Sequence, residues 1–165
     1  MIRNIIVEGS DCSGKTTLID ALHDRLSHLG WNIINLGHED GDQFKRYMNS
    51  YVNAHKAIFD RSHFSEMVYG DLWRGGHGMS TQEISDLNDY VYSNFLVVFA
   101  YAPENILKER YHSRSYDQTI KSDELGIVQS HLAALLTNPR VLKYDSTSQI
   151  ALDVTVKKIL LYFLQ

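Results

Sequence analysis

Gly9, Gly14, Lys15 and Thr16 stand at the spacing G-x-x-x-x-G-K-[ST] within VEGSDCSGKTT, Val7 to Thr17. Residue types in that order suit one task, the holding of a chain of phosphates. Glycines let the backbone wrap closely, so that N–H groups point inward at an anion. A helix opening at Thr16 adds the partial positive charge of its N-terminus. In such a loop Lys15 reaches the β- and γ-phosphates, and the Thr16 hydroxyl meets Mg²⁺. Gly9, Ser10, Cys12, Ser13, Gly14, Lys15, Thr16 and Thr17 are therefore the expected ATP site, with Mg²⁺ as the companion ion. Cys12, the only cysteine of the chain, sits beside that helix start. The helix would lower its pKa if the thiol were reactive; the plainer expectation is a small loop residue.

Two further constellations carry charge. In FDRSHFSEMVYGDLWRGG, Phe59 to Gly76, Asp60 and Arg61 directly follow a short apolar run. A carboxylate there can hold Mg²⁺ through water or orient an attacking oxygen. An arginine can grip a phosphate with two parallel hydrogen bonds. A surface ion pair of little energetic consequence is the competing reading. In KERYHSR, Lys108, Arg110 and Arg114 lie near helical spacing. Their charge would neutralise what builds on a transferring γ-phosphoryl group, or would simply face water.

The phosphate loop needs a strand before it and a helix after it, and both are legible. Ile2 to Val7 is an apolar run; Thr16 to Leu29 places Leu18, Leu22, Leu26 and Leu29 on one stripe and stops at Gly30. Further strands are expected at Trp31–Leu36, Lys56–Phe59, Phe95–Tyr101 and Arg140–Tyr144. Helices are expected at Asp42–Asn53, Ser62–Trp73, Thr81–Ser93, Asn105–Ser113, Glu124–Leu136 and Ser148–Leu164. Ser80 or Thr81 caps the third of these six, with Glu83 completing a capping box. Ser115 to Asp123 reads as a polar loop. Strands alternating with helices imply an α/β, three-layer fold: a parallel sheet of about five strands with helices on both faces. Ligands in such sheets sit at the carboxyl ends of the strands. Gly9–Thr17, Gly37–Asp42, Asp60-Arg61 and Asp145-Ser146 all fall there, so they should share one cleft.

At 165 residues, 44% apolar, 22% charged and with a net charge of −4, the chain fits one domain with a sizeable core. The acidic balance speaks against a general nucleic-acid binder. A single cysteine excludes an intrachain disulfide and a cysteine-based zinc site. No apolar run approaches the roughly 18 residues of a membrane span, and no leader precedes the first strand, so a cytoplasmic location without membrane contact is expected. The histidines are scattered, and no metal signature joins them.

The extra Asp11 in the phosphate loop, together with the second segment, carries a resemblance. VEGSDCSGKTT resembles the E-G-x-D-x-x-G-K-T-T loop of thymidylate kinases, a group of P-loop NTPases. DRSHFSEMVYGDLWR resembles that family's D-R-x-x-x-S-x-x-x-Y segment, with Arg74 fourteen residues after Asp60. KYDSTSQIALDVTVKKI is similar to its closing strand and helix. The resemblance implies a small-molecule nucleotide as acceptor and, with it, a homodimer as one possible assembly. It gives Asp11 to the acceptor's sugar hydroxyl, Arg61 to its 5′-phosphate, and Asp60 to the metal or the transferring oxygen. Ser65, Tyr69 and Arg74 would line the acceptor pocket. Residues 105–123 would form a lid over ATP, with Arg110 and Arg114 acting on the transferring group, and Asp145 to Thr147 would lie near the adenine.

Three departures touch the acceptor. The loop LGHEDG replaces the family's R-E-P-G-G, keeping Glu39 and Gly41 but not the arginine. The stretch from there to Asp60 is short, which trims the helix that commonly carries a base-stacking aromatic; Phe44, Tyr47, Tyr51 and Trp73 are the aromatics left for that role or for the core. Gly70 replaces a glutamine. The expected activity is phosphorylation of a (deoxy)nucleoside monophosphate by ATP. Open alternatives are a deoxynucleoside kinase, since Asp60-Arg61-Ser62 also resembles that group's E-R-S, and a kinase acting on DNA bases or ends. A GTP-dependent switch is disfavoured because no N-K-x-D or T-K-x-D segment occurs. A nucleotide-binding module without catalysis is disfavoured by the intact Lys15, Thr16 and Asp60.

Overall fold

A strand without a polar face must be covered on both sides, and Phe95–Tyr101 is such a strand, buried along nearly its whole length. It is the fourth of five strands in the computed structural model, which describes residues 2–114 and 120–163. Asn4–Glu8 (β1), Asn32–Asn35 (β2), Ala57–Asp60 (β3), Phe95–Tyr101 (β4) and Leu142–Asp145 (β5) form one sheet. All neighbours are parallel, in the order β2-β3-β1-β4-β5. The helices are Lys15–Leu26 (α1), Gln43–Val52 (α2), His63–Trp73 (α3), Thr81–Asn94 (α4), Glu104–His112 (α5), Leu125–Leu135 (α6) and Gln149–Phe163 (α7).

Period-two alternation in β1 splits the core into two layers. Ile5 and Val7 face α1 and α7, where Leu18, Leu22, Leu26, Leu152 and Ile159 bury them. Ile6, with Phe59, Val97 and Phe99 from its neighbours, faces Tyr51, Phe64, Leu87, Leu107 and Leu132 on the helices of the other side. The expected three-layer arrangement is thus present. Capping follows the side chains. Asp42 accepts from the Lys45 N–H at the start of α2, and Ser80 forms the expected capping box with Glu83.

The element ends differ where tertiary context decides. α1 stops at Leu26, and Ser27–Leu29 tightens into a 3₁₀ turn, which carries Leu29 off the buried stripe. β2 is shorter than Trp31–Leu36 because it is an edge strand, with a length set by its one partner, β3. β5 begins after Val141, whose N–H is taken by the Asn138 carbonyl in a turn. Ser115 to Thr119 of the expected polar loop, the tip of the expected lid, and Leu164 lie outside the described residues. No helix among the described residues is long and apolar enough to cross a membrane.

Candidate active site

The loop joining β1 to α1 is built by its backbone. Gly14 caps α1 at φ 88°, a left-handed conformation. A Cβ there would lie 2.6 Å from the Cβ of Ser146, so no side chain fits unless the loop after β5 moves. Lys15 is buried, and its Nζ donates to the Ser10 carbonyl at 3.0 Å. Burial first, then the nearby Arg61, pulls its pKa down to about 8, against the attraction of Asp11, Asp60 and Glu8. The hydroxyls of Ser10 and Ser13 are buried without a hydrogen-bond partner among the described residues, as suits a loop shaped for an anion. Cys12 has φ 65° and is buried. Burial raises its pKa, so its place beside the helix start does not activate the thiol.

On one side of the loop lies a cavity of about 370 Å³, walled by Cys12, Gly14, Thr17, Arg110, Arg114, Ser146 and Thr147 among others. Arg110, reaching in from α5, is a clamp. Its Nη1 donates to the Cys12 carbonyl (3.0 Å) and the Ser146 hydroxyl (2.8 Å), and its Nη2 to the Ser146 carbonyl (2.6 Å). The guanidinium thus ties α5, the phosphate loop and the turn after β5 together. Lys108, grouped with the two arginines by sequence, instead pairs with Glu104 on its own helix. Asp145, expected at the adenine, accepts from the Thr147 N–H. It shapes the turn, and Ser146 and Thr147 make the wall.

On the other side lies a cavity of about 200 Å³ that gathers Asp11, Arg61, Ser65, Tyr69 and Arg74, as expected, with Leu36, Gly37, His38, Tyr47 and Glu66. Arg61 is held at φ 74° with its N–H on the Val7 carbonyl. A non-glycine residue in that conformation is strained, and such strain gathers at functional sites. Its guanidinium pairs with Asp11 and lies 4.9 Å over the Tyr69 ring. Asp60 accepts from Asn35 through Oδ2 at 3.4 Å, while Oδ1 is buried without a partner among the described residues. Arg74 pairs with Glu66, and His38 approaches the same carboxylate at 3.5 Å.

Ser65 borders the cavity, and its hydroxyl donates to Glu8 at 2.5 Å. Glu8 ends β1, is fully buried, and also accepts from the Ser62 hydroxyl (2.6 Å) and the Ser65 N–H (3.2 Å). Burial pushes its pKa up even though these bonds oppose the shift. Glu8 therefore pins the start of α3 to the strand that carries the phosphate loop. Sequence reasoning passed over it, although an acid closing a buried apolar strand must find partners. Arg46 was passed over too. From α2 it donates to the Gly37 carbonyl and pairs with Glu39 at 3.4 Å, placing a guanidinium beside the loop that lacks an arginine of its own. Of the aromatics, Tyr51 belongs to the core, where its hydroxyl meets His63 Nδ1 at 2.9 Å. Tyr47 is buried yet borders the cavity, and Trp73 is exposed against Tyr69. Gly70 stands where a Cβ would come within 2.8 Å of His77 Cα, so the returning chain leaves no room for a glutamine.

Thr16 and Asp60 offer oxygen donors of the type that suits Mg²⁺, and Asp60 Oδ1 is without a partner among the described residues. Among the described residues no three His, Cys, Asp or Glu gather as a metal cluster. Phosphate and water would therefore complete the shell, as is usual for this ion.

No protein-family model matches the chain. It is 21% identical over 158 residues to YorR, a SPbeta prophage-derived uncharacterized protein of Bacillus subtilis, covering 91% of this chain and 95% of that one. The crystal structure of YorR from Bacillus subtilis, in complex with phosphorylated GDP, superposes with a TM-score of 0.80 at 20% identity, over 96% of this chain and 94% of that one. Deoxyadenosine kinase from M. mycoides with bound dATP gives 0.58 at 13% identity (94% and 98% covered). Thymidylate kinase from Candida albicans gives 0.55 at 13% (98% and 90% covered). A gluconokinase from Sinorhizobium meliloti is as similar, at 0.56 and 14% (98% and 97% covered), so the likeness does not choose an acceptor. The chain has the fold of the P-loop kinases.

Proposed function

We propose that the chain transfers the γ-phosphoryl group of ATP to the phosphate of a (deoxy)nucleoside monophosphate. One observation carries this reading: the phosphate loop is the common wall of two cavities, Gly14 facing one and Asp11 the other. A hydrolase or a switch needs a single nucleotide site; a bisubstrate kinase needs a donor and an acceptor on either side of the transferring group. The phosphorylated GDP bound to YorR supports a nucleotide as ligand.

ATP would lie against Ser146 and Thr147 with its phosphates in the loop. Lys15 would follow the γ-phosphoryl group, and Arg110 would hold the loop's shape from outside. Mg²⁺, held through Thr16 and Asp60, would supply charge neutralisation between phosphates. The acceptor phosphate would take Asp11's place on the Arg61 guanidinium, freeing the Asp11 carboxylate for a sugar hydroxyl. Nothing covalent is asked of the protein; alignment and charge stabilisation suffice.

A deoxynucleoside kinase is the second reading. It is favoured by the Asp11–Arg61 pair, which leaves less free positive charge for a phosphate, and by Asp60 Oδ1, which could take the proton of a 5′-hydroxyl. The test is an ATP-dependent phosphorylation screen over nucleosides, monophosphates, and single- and double-stranded DNA. Diphosphate formation supports the first reading. Monophosphate formation from nucleosides supports the second, and labelled DNA would displace both.

A further inference from the structure

Inside the acceptor cavity, one group has no task in phosphate transfer. Glu66 is 5% exposed, yet it lines the cavity. It lies on α3 one turn beyond Ser62, away from the phosphate loop and toward Arg74. A buried carboxylate is costly unless it is paired, and Glu66 has two partners. Arg74 Nη2 holds Oε1, and His38 Nδ1 stands 3.5 Å from Oε2. A carboxylate offers about four acceptor positions, and a guanidinium five donors. Among the described residues the pair therefore keeps acceptor capacity on Glu66 next to donor capacity on Arg74, and both residues line the cavity together with Leu36, Tyr47 and Tyr69.

With Arg61 at the phosphate end of α3, this pair marks the end where a nucleotide's base would rest. Two acceptors beside a donor complement an edge carrying two adjacent N–H donors beside an acceptor. Guanine has that edge in N1–H, N2–H₂ and O6. Cytosine and adenine present a single amino donor there, and thymine presents one N–H between two carbonyls, the outer of which would face the carboxylate.

We propose that Glu66, oriented by Arg74, is the base-reading residue of the acceptor site and selects guanine. This rests on the reading of that cavity as a nucleotide acceptor site. Glu66 accepts from N1–H and N2–H₂, Arg74 donates to O6, and His38 yields its place on the carboxylate. A hydrogen bond to a charged group accounts for roughly a ten- to hundredfold preference over an analogue that lacks it.

The test uses binding as well as turnover. Dissociation constants of dGMP, dIMP, dCMP, dAMP and TMP are measured by calorimetry on the native chain and on Glu66→Gln, and the same monophosphates are offered with ATP. dIMP keeps O6 and N1–H but lacks the amino group. The native chain should bind dGMP at least about tenfold more tightly than dIMP or any other base. In Glu66→Gln, with the fold verified by its thermal transition, the dGMP to dIMP ratio should fall towards one. If Glu66→Gln does not fold, the native dGMP to dIMP ratio decides alone. Equal binding of dGMP and dIMP by the native chain, or tighter binding of another base, overturns guanine selection. Turnover of that other base would leave the kinase reading standing. Guanine selection with no diphosphate formed would uphold Glu66 as reader and sink the kinase reading. Binding of none of the five would remove both.

Discussion

The two cavities beside the phosphate loop are built by different means. On the Ser146 side the shaping contacts run to the main chain of the loops: Gly14, whose Cβ would strike Ser146, and Arg110, which holds the carbonyls of Cys12 and Ser146 as well as the Ser146 hydroxyl. The Arg61 side is made of side-chain pairs, Asp11 with Arg61 and Glu66 with Arg74 and His38. A site shaped by close main-chain contacts tolerates few substitutions. A site of paired charges can be retuned one pair at a time, which is where acceptor choice would be set.

Substitutions can break that contrast. The largest effect is expected at the shared wall. On the proposed function, in which Lys15 would stabilise charge on the group in transit, Lys15→Ala should reduce turnover at least roughly a hundredfold with the fold intact. Steady-state kinetics on a variant with an unchanged thermal transition would check this, and near-native turnover would remove the phosphate loop from the mechanism. Gly14→Ala should follow. Its forced shift of Ser146 and the Arg110 clamp should raise KM for ATP about tenfold or more and cost about 1–3 kcal/mol of stability. An unchanged ATP affinity would show that the clamp does not shape the donor side.

Asp11 sharpens the acceptor side. An acceptor without its 3′-hydroxyl should lose about tenfold in kcat/KM on the native chain, and Asp11→Ala should treat the two acceptors alike. Discrimination that survives in Asp11→Ala would reduce the carboxylate to a partner of Arg61.

The pH dependence concerns Lys15. With its pKa at about 8 in the folded chain and about 10.4 when unfolded, the folded state binds fewer protons between those values. Stability of the ligand-free chain should therefore rise with pH from about 8 to about 10, and Lys15→Met should abolish that rise. ATP affinity should move the opposite way, falling as pH rises through about 8 and the ammonium is lost. Thermal melts and ATP titrations at matched pH values check both signs. The smallest effect is expected for Glu8→Gln, which keeps an acceptor for Ser62 and should cost about 1 kcal/mol; Glu8→Ala, which strands the hydroxyls of Ser62 and Ser65 and the Ser65 N–H, should cost several times more than that conservative change.

What the sequence revealed divides along the same line. Phe95–Tyr101, the Gly9–Thr17 loop, the Ser80–Glu83 cap and the order of elements were legible, because periodicity, glycine placement and caps are local properties of the chain. So was the meeting of Asp11 and Arg61, which both follow the carboxyl ends of strands; Tyr69 and Arg74 joined them only through the resemblance to thymidylate kinases. The pairings were not. Nothing local joins Ser65 to Glu8, 57 residues apart in the chain, or brings Arg46 back to the Gly37 carbonyl. Nor did spacing predict that Arg61 would hold Asp11 and that Arg74 would hold Glu66. Buried charges choose partners across elements, and the choice follows from desolvation in the folded state.

The claim that one loop serves two separate sites is tested most directly at Arg61. Dissociation constants for ATP and for the accepted monophosphate are to be measured on the native chain and on Arg61→Lys. Lysine keeps the charge but not the two-pronged grip. We expect acceptor binding to weaken at least about tenfold while ATP binding stays within about twofold. Equal weakening of both ligands would place Arg61 at the donor phosphates and contradict the division of the site.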